Sequence, residues 1–192
     1  RSSDLCVCIG SSTGGPEALK TLFKTLSSAE FQTPILIAQH MPALFTAELA
    51  KMLNRLSHLH VKEAQNNEAI QPGSVYIAPG DYHMRVINDG SQKRLTLDQS
   101  EKVNYVRPSV DTLFDSVAQH YQGLCAGVVL TGMGSDGLNG VKSLKKHGSP
   151  IVIQDEVSCV VFGMPGAIFR EQLHDRALPI EEIANFMMKN FL

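Results

Sequence analysis

Ser12, His40 and Asp136 are the residues of this chain whose types and places could do chemistry together. Ser12 is the centre of Gly10-Ser11-Ser12-Thr13-Gly14, which fits the G-x-S-x-G pattern of a nucleophile raised on a sharp strand-to-helix turn. His40 follows the apolar run Ile35-Leu36-Ile37-Ala38, and Asp136 lies in the glycine-rich stretch Thr131-Gly132-Met133-Gly134-Ser135-Asp136-Gly137. A hydroxyl that attacks an acyl carbon at neutral pH needs a base to take its proton. The base needs an acid to hold its tautomer. The glycines let the backbone turn and let a substrate come close. The first amides of the following helix face the same place and suit an anion or a developing oxyanion. The chain order Ser, His, Asp differs from the Ser, Asp, His of α/β-hydrolases, so this is a separate solution on a related architecture.

Spacing alone leaves alternatives open. The turn at 10–15 is also compatible with a phosphate site or a purely structural turn. His83, after Pro79-Gly80-Asp81-Tyr82, rivals His40 as the base, although its place in a hairpin points to structural hydrogen bonding. Asp136 fits equally well as the N-cap of the helix it precedes. Asp81, Asp111 and Asp155 also stand near turns, and spacing does not exclude them. His58, His60, His120, His147 and His174 read as solvated side chains.

The elements that must position these residues follow from apolar periodicity. A strand at 5–9 leads into a helix over 16–26. A strand at 35–38 follows, and Pro42 opens a helix over 44–56. Short strands are expected at 61–64 and 74–78, then a β-hairpin from 82–87 and 94–97 about Asn88-Asp89-Gly90. Ser109 caps a helix over 110–121. A strand at 124–130, a helix reaching Lys146, a strand at 150–154, a short helix after Gly163-Met164-Pro165 and a last helix over 179–190 complete the chain. Strands alternating with helices predict an α/β fold, a three-layer α/β/α domain with a mostly parallel doubly wound sheet and one β-hairpin. In such sheets ligands bind at the carboxyl ends of the strands, where Ser12, His40 and Asp136 all fall.

Composition bounds the rest. The 192 residues, 43% hydrophobic and 19% charged, suit a single domain with a substantial core. A net charge of −2 offers no basic surplus for nucleic acid or an anionic membrane. No apolar run approaches a membrane span, and the start does not resemble a secretory leader. Cys6, Cys8, Cys125 and Cys159 sit among aliphatic residues and read as free thiols of a cytoplasmic protein. The start Arg1-Ser2-Ser3, with no Met, reads as a cut at a polar linker.

Taken in order, Gly10-Ser11-Ser12-Thr13-Gly14-Gly15, Gln39-His40-Met41-Pro42 and Thr131-Gly132-Met133-Gly134-Ser135-Asp136-Gly137 resemble the three catalytic motifs of the chemotaxis-receptor protein-glutamate methylesterases of bacterial two-component signalling. The stretches Tyr76-Ile77-Ala78-Pro79-Gly80-Asp81-Tyr82-His83-Met84, Arg107-Pro108-Ser109-Val110-Asp111 and Gly163-Met164-Pro165-Gly166-Ala167 extend the resemblance over nearly the whole chain. The resemblance implies that Ser12 is the nucleophile, His40 the general base and then acid, and Asp136 the residue that orients His40. It implies an oxyanion hole from the backbone N–H groups of Thr13 and Met133. Substrates would be glutamate γ-methyl esters on methylated chemoreceptors, with methanol released, and also receptor glutamines. No metal or organic cofactor is implied. Ser12 Oγ should then lie within hydrogen-bond reach of His40. The family usually carries an N-terminal receiver domain in cis. Such a unit needs about a hundred residues, more than precede Ser12, so residues 1–192 are expected to be one catalytic domain, with 1–4 the end of an interdomain linker. Two other classes stay open. One is a catalytically idle domain that binds a receptor or partner. The other is a nucleotide binder, although the 10–15 turn lacks G-x-G-x-x-G and a phosphate-binding Lys.

Overall fold

Strands and helices alternate along the chain except over residues 60–98, where four strands follow one another. The structure, a computed structural model, describes residues 4–26 and 30–192. Arg1-Ser2-Ser3, read above as the tail of a linker, lies outside the described residues. The elements are β1 (Cys6–Ser11), α1 (Gly15–Thr25), β2 (Ile35–Gln39), α2 (Phe45–Asn54), β3 (His60–Glu63), β4 (Ser74–Ile77), β5 (His83–Asn88), β6 (Lys93–Asp98), α3 (Val110–Tyr121), β7 (Cys125–Val129), α4 (Leu138–Lys146), β8 (Ile151–Gln154), α5 (Met164–Arg170), β9 (Arg176–Leu178) and α6 (Ile180–Asn190).

Seven strands form a parallel sheet in the order β3-β4-β2-β1-β7-β8-β9. The chain builds outward from β1 on one side as far as β3, then returns to β1 and builds outward through β7. The strand order therefore reverses beside β1, and a ligand crevice forms at such a switch point. The expected hairpin is a separate antiparallel pair, β5 and β6.

Side chains alternate across the central strands. Val7 and Ile9 join α1, α2 and α6 in one core layer. Cys6 and Cys8 face the other way, into a layer with α3, α4, α5 and the hairpin. Burial pushes the thiols of Cys6, Cys8 and Cys125 up, which keeps them protonated and inert. Each helix contributes an apolar stripe, as with Leu19, Leu22 and Phe23 of α1. Burying each such side chain contributes about 1.5–3 kcal/mol.

Local departures from the expected pattern have physical causes. β1 does not stop at Ile9: Gly10 and Ser11 pair with Ala38 and Gln39 of β2. Gly10 is a close-packing glycine rather than part of the turn, because a Cβ there would lie 2.4 Å from Val110 Cγ1 at the start of α3. α2 starts later than Pro42 suggests, because Leu44 has φ 75° and ψ −40°, which a helix cannot contain. β9 pairs with β8 but has only three residues, two of them exposed, too short for an alternating pattern to register.

Candidate active site

Ser12 is the first residue past β1, and both neighbouring strands pin it. Its N–H donates to Thr131 O at 3.0 Å. Its carbonyl accepts from Gly15 N at 2.8 Å and from Gln39 Nε2 at 2.9 Å. Gln39 is buried at the end of β2, accepts the Ser11 hydroxyl through Oε1, and also donates to His40 O at 3.2 Å. A Cβ on Gly15 would stand 2.0 Å from Gln39 Oε1, so this glycine makes room for the brace. Gly14 turns the chain with φ 84°, and Pro16 occupies the first turn of α1, where a missing N–H breaks no bond. On the other side Gly132 abuts the serine: a Cβ there would lie 2.8 Å from Ser12 Cβ.

His40 follows β2 as Ser12 follows β1, and its N–H donates to Ser11 O at 3.0 Å. Ser11 and Gln39 are in register, so Ser12 and His40 leave adjacent strands side by side. His40 Nε2 lies 2.6 Å from Asp136 Oδ2. That contact leaves Nδ1 as the ring nitrogen for a hydroxyl. The structure contains no hydrogen bond between Ser12 Oγ and the His40 ring, contrary to the expectation from sequence. A serine hydroxyl is a free rotor at the strand end, and such contacts often tighten only around a substrate.

Asp136 is 3% exposed. It does cap a helix, but not the one it precedes. α4 has Gly137 as its N-cap, a residue with no side chain to cap it. The Asp136 carboxylate instead sits over the start of α3. Oδ2 accepts from Val110 N at 2.7 Å, and Oδ1 from Asp111 N at 3.0 Å, Ser109 Oγ at 3.0 Å and Asn104 Nδ2 at 2.8 Å. A helix N-terminus of this kind favours an anion. Burial works to raise the Asp136 carboxyl, but the hydrogen bond from His40 and the amides of Val110 and Asp111 hold it below the usual carboxylate range. Asp111 returns the exchange: its Oδ1 accepts from Gly137 N at 2.9 Å and Gly140 N at 2.7 Å and so caps α4. Burial pushes the Asp111 carboxyl up, and the charge of Asp136 adds to that.

Thr13 follows Ser12 directly, and Met133 follows Gly132, the glycine that abuts Ser12. Among the described residues, neither Thr13 N–H nor Met133 N–H donates a hydrogen bond. The turns that carry them are tied together by Thr131, whose hydroxyl donates to Thr13 O at 2.9 Å and accepts from Val160 N and Val161 N at 3.1 and 3.0 Å. A cleft of about 500 Å³ opens beside His40, with Met41, Asp81, Tyr105 and Arg107 in its walls.

The structure brings together Ser12, His40 and Asp136; of the rivals, Asp111 joins this assembly as the cap of α4 and Asp81 lines the cleft beside His40, while His83 and Asp155 serve other contacts. His83 is fully buried, its Nε2 2.9 Å from Glu101 O and its Nδ1 accepting from Ser109 N at 3.3 Å, so it is a structural residue. Asp81 pairs with Arg107, and Asp155 holds the turn at Ser158. His174 departs from a solvated reading: its ring stacks on Phe169 with 5.0 Å between centroids. Asn104 carries no signal in the sequence, while Gln39 and Thr131 stand at the heads of two motifs with no role of their own readable there. Gln39 was visible only as the neighbour of His40, Ser109 only as a cap. Among the described residues, no cluster of His, Cys, Asp and Glu is arranged to hold a metal ion.

The family model described as CheB methylesterase matches residues 7–187. The chain belongs to the CheB methylesterase family. A protein-glutamate methylesterase/protein-glutamine glutaminase of Caulobacter vibrioides is 50% identical over 182 residues, which are 94% of this chain and 52% of that protein. A protein of the same description from Archaeoglobus fulgidus is 44% identical over 98% of this chain and 54% of its own length. The chain spans about half the length of the curated relatives it matches. The crystal structure of the Thermotoga maritima CheB methylesterase catalytic domain superposes with a TM-score of 0.93 at 41% identity, covering 96% of this chain and 97% of that one. The three-layer sheet and helices are thus the CheB catalytic-domain fold. Among the described residues, no helix is long and apolar enough to cross a membrane.

Proposed function

We propose that this chain is a serine hydrolase that removes methyl groups from glutamate γ-methyl esters on bacterial chemoreceptors and also deamidates receptor glutamines. The observation that carries the reading is the His40–Asp136 contact of 2.6 Å at the end of the strand paired with the one that presents Ser12. Family membership supports the ester as substrate.

The proposed steps balance as acyl transfer. Ser12 Oγ attacks the γ-carbonyl while His40 Nδ1 takes its proton, and Asp136 steadies the imidazolium through Nε2. The carbonyl oxygen becomes an oxyanion, and Thr13 N–H and Met133 N–H stabilise it. The C–O bond to methyl breaks, His40 gives its proton to the departing oxygen, and methanol leaves. Water, deprotonated by His40, then attacks the glutamyl–Ser12 ester and releases glutamate. With glutamine the leaving group is ammonia. These steps use no metal or organic cofactor.

A protein substrate suits the surroundings. The loops at this edge of the sheet expose Leu44, Phe45, Tyr105, Met133, Val157 and Val160, apolar surface of the kind that marks a protein-binding site. The partners in this proposal are the methylated chemoreceptor and, in cis, a receiver domain of the full-length protein, all in the cytoplasm. The test is methanol release from methylated receptor. Wild-type protein releases it and Ser12→Ala does not. Equal release by both overturns the proposal, and no release by either favours an idle binding domain.

A further inference from the structure

The residue that links the two buried carboxylates is Asn104. Val103 and Val106 exchange backbone hydrogen bonds in both directions at 3.1 Å. The two residues between them, Asn104 and Tyr105, have φ of 55° and 65°. This is a two-residue turn with both central residues left-handed, a conformation that Asn tolerates better than most. Tyr105 is left 96% exposed. Asn104 is exposed as well, but its amide reaches both carboxylates: Nδ2 lies 2.8 Å from Asp136 Oδ1 and 2.8 Å from Asp111 Oδ2. An amide nitrogen carries two protons, one for each carboxylate.

Two buried carboxylates this close repel each other unless donors stand between them. Among the described residues, the titratable groups hydrogen-bonded to Asp136 and Asn104 are His40, from the end of β2, and Asp111, from α3; Arg85, Asp115 and His120 line the same cavity as Asn104, and Lys102 lies beside it. Asp136 presents Oδ2 to His40 while Oδ1 is held by Asn104 together with Ser109 Oγ and Asp111 N, and of these donors the Asn104 amide is the one that also reaches the Asp111 carboxylate. Resting on the hydrolase reading above, we propose that Asn104 is a positioning residue for the reaction: it divides one amide between Asp136 and Asp111 and so fixes the carboxylate that orients His40.

Two substitutions separate this role from a merely structural one. Asn104→Gly keeps a residue that adopts positive φ freely and removes only the amide. Its kcat should fall by about 10–100-fold with little change in KM, the size of effect that misplaced catalytic groups produce. Asn104→Asp keeps the size and the turn but sets a third acceptor against two. Its kcat should fall further, and its activity relative to wild type should recover as pH drops from about 8 to about 6, where the added carboxyl takes up a proton and donates again. A flat ratio across pH, or wild-type kcat in Asn104→Gly, overturns the proposal. Ser12→Ala run alongside shows whether the hydrolase reading itself fails. A readout independent of activity is the proton NMR signal of the His40 ring N–H bonded to Asp136. It should be far downfield in wild type and weakened or lost in Asn104→Gly; an unchanged signal also overturns the proposal.

Discussion

A carboxylate buried as deeply as Asp136 stays ionised only because donors surround it, and those donors also aim it. Asp136→Asn keeps the volume but removes the charge and weakens the hold on one His40 tautomer. Its kcat should fall by about 10⁴-fold, as in other triads. Ser12→Ala and His40→Ala should each lose about 10⁴–10⁶-fold in kcat, and the double variant little more, since such residues act as a unit. Thr13→Ala should lose far less, because the proposed role of Thr13 runs through its backbone N–H. Steady-state methanol release measures all of these. Asp136 also predicts a dependence on acid. Its folded value lies below the ordinary one, so its contribution to stability is present above the usual carboxylate range and is lost as pH falls through that range to the folded value. Thermal melts against pH should show a shallower loss on acidification in Asp136→Asn. Asp111, pushed up, acts with the opposite sign: its charge costs stability above its raised value, and the cost disappears as pH falls through it. Ser12, His40 and Asp136 were legible in the sequence because each follows an apolar run that must end at one edge of a parallel sheet. Asn104 was not. It lies in a loop without a period, and only folding brings it to Asp136, 32 positions away.

At the scale of elements, α3 and α4 each take a cap from the other. Asp136, just ahead of α4, satisfies the first amides of α3, and Asp111 of α3 satisfies those of Gly137 and Gly140. The helices therefore lock the acid in place as they dock. Asp111→Ala leaves those amides unpaired and should destabilise the fold by about 1–3 kcal/mol, lowering Tm by about 2–4 °C per kcal/mol for a domain of this size. Gly10→Ala drives a methyl into Val110 and should cost about 1–3 kcal/mol through overpacking; urea unfolding would read it. The order of strands and helices was legible because burial on one face or two imposes a period. Gly10 was misread because a glycine that admits a neighbouring helix and a glycine that turns the chain look alike in sequence. The exchange of caps was hidden for a related reason: spacing shows that Asp136 suits a helix start, but not whose.

At the scale of the molecule, the sheet gathers loops from strands distant in sequence at one edge, and the reversal of strand order beside β1 opens that edge where Ser12 stands. The exposed apolar side chains there belong to loops that also shape the site. Val160 packs so close to the Ser12 turn that a Cβ on Gly14 would lie 2.7 Å from it. If this rim receives a protein substrate, Phe45→Ser should raise KM for methylated receptor about 10-fold, as loss of an interface anchor does, and leave hydrolysis of a small glutamyl methyl ester unchanged. The central claim, that Ser12 attacks the γ-carbonyl, is tested most directly by acid-quenching the protein during turnover of a peptide bearing a glutamate γ-methyl ester and weighing the proteolytic fragment that contains Ser12. The expected fragment is heavier by the peptide less methanol, and that heavier fragment is absent in Ser12→Ala. An unmodified fragment, with methanol release undiminished in Ser12→Ala, would contradict it.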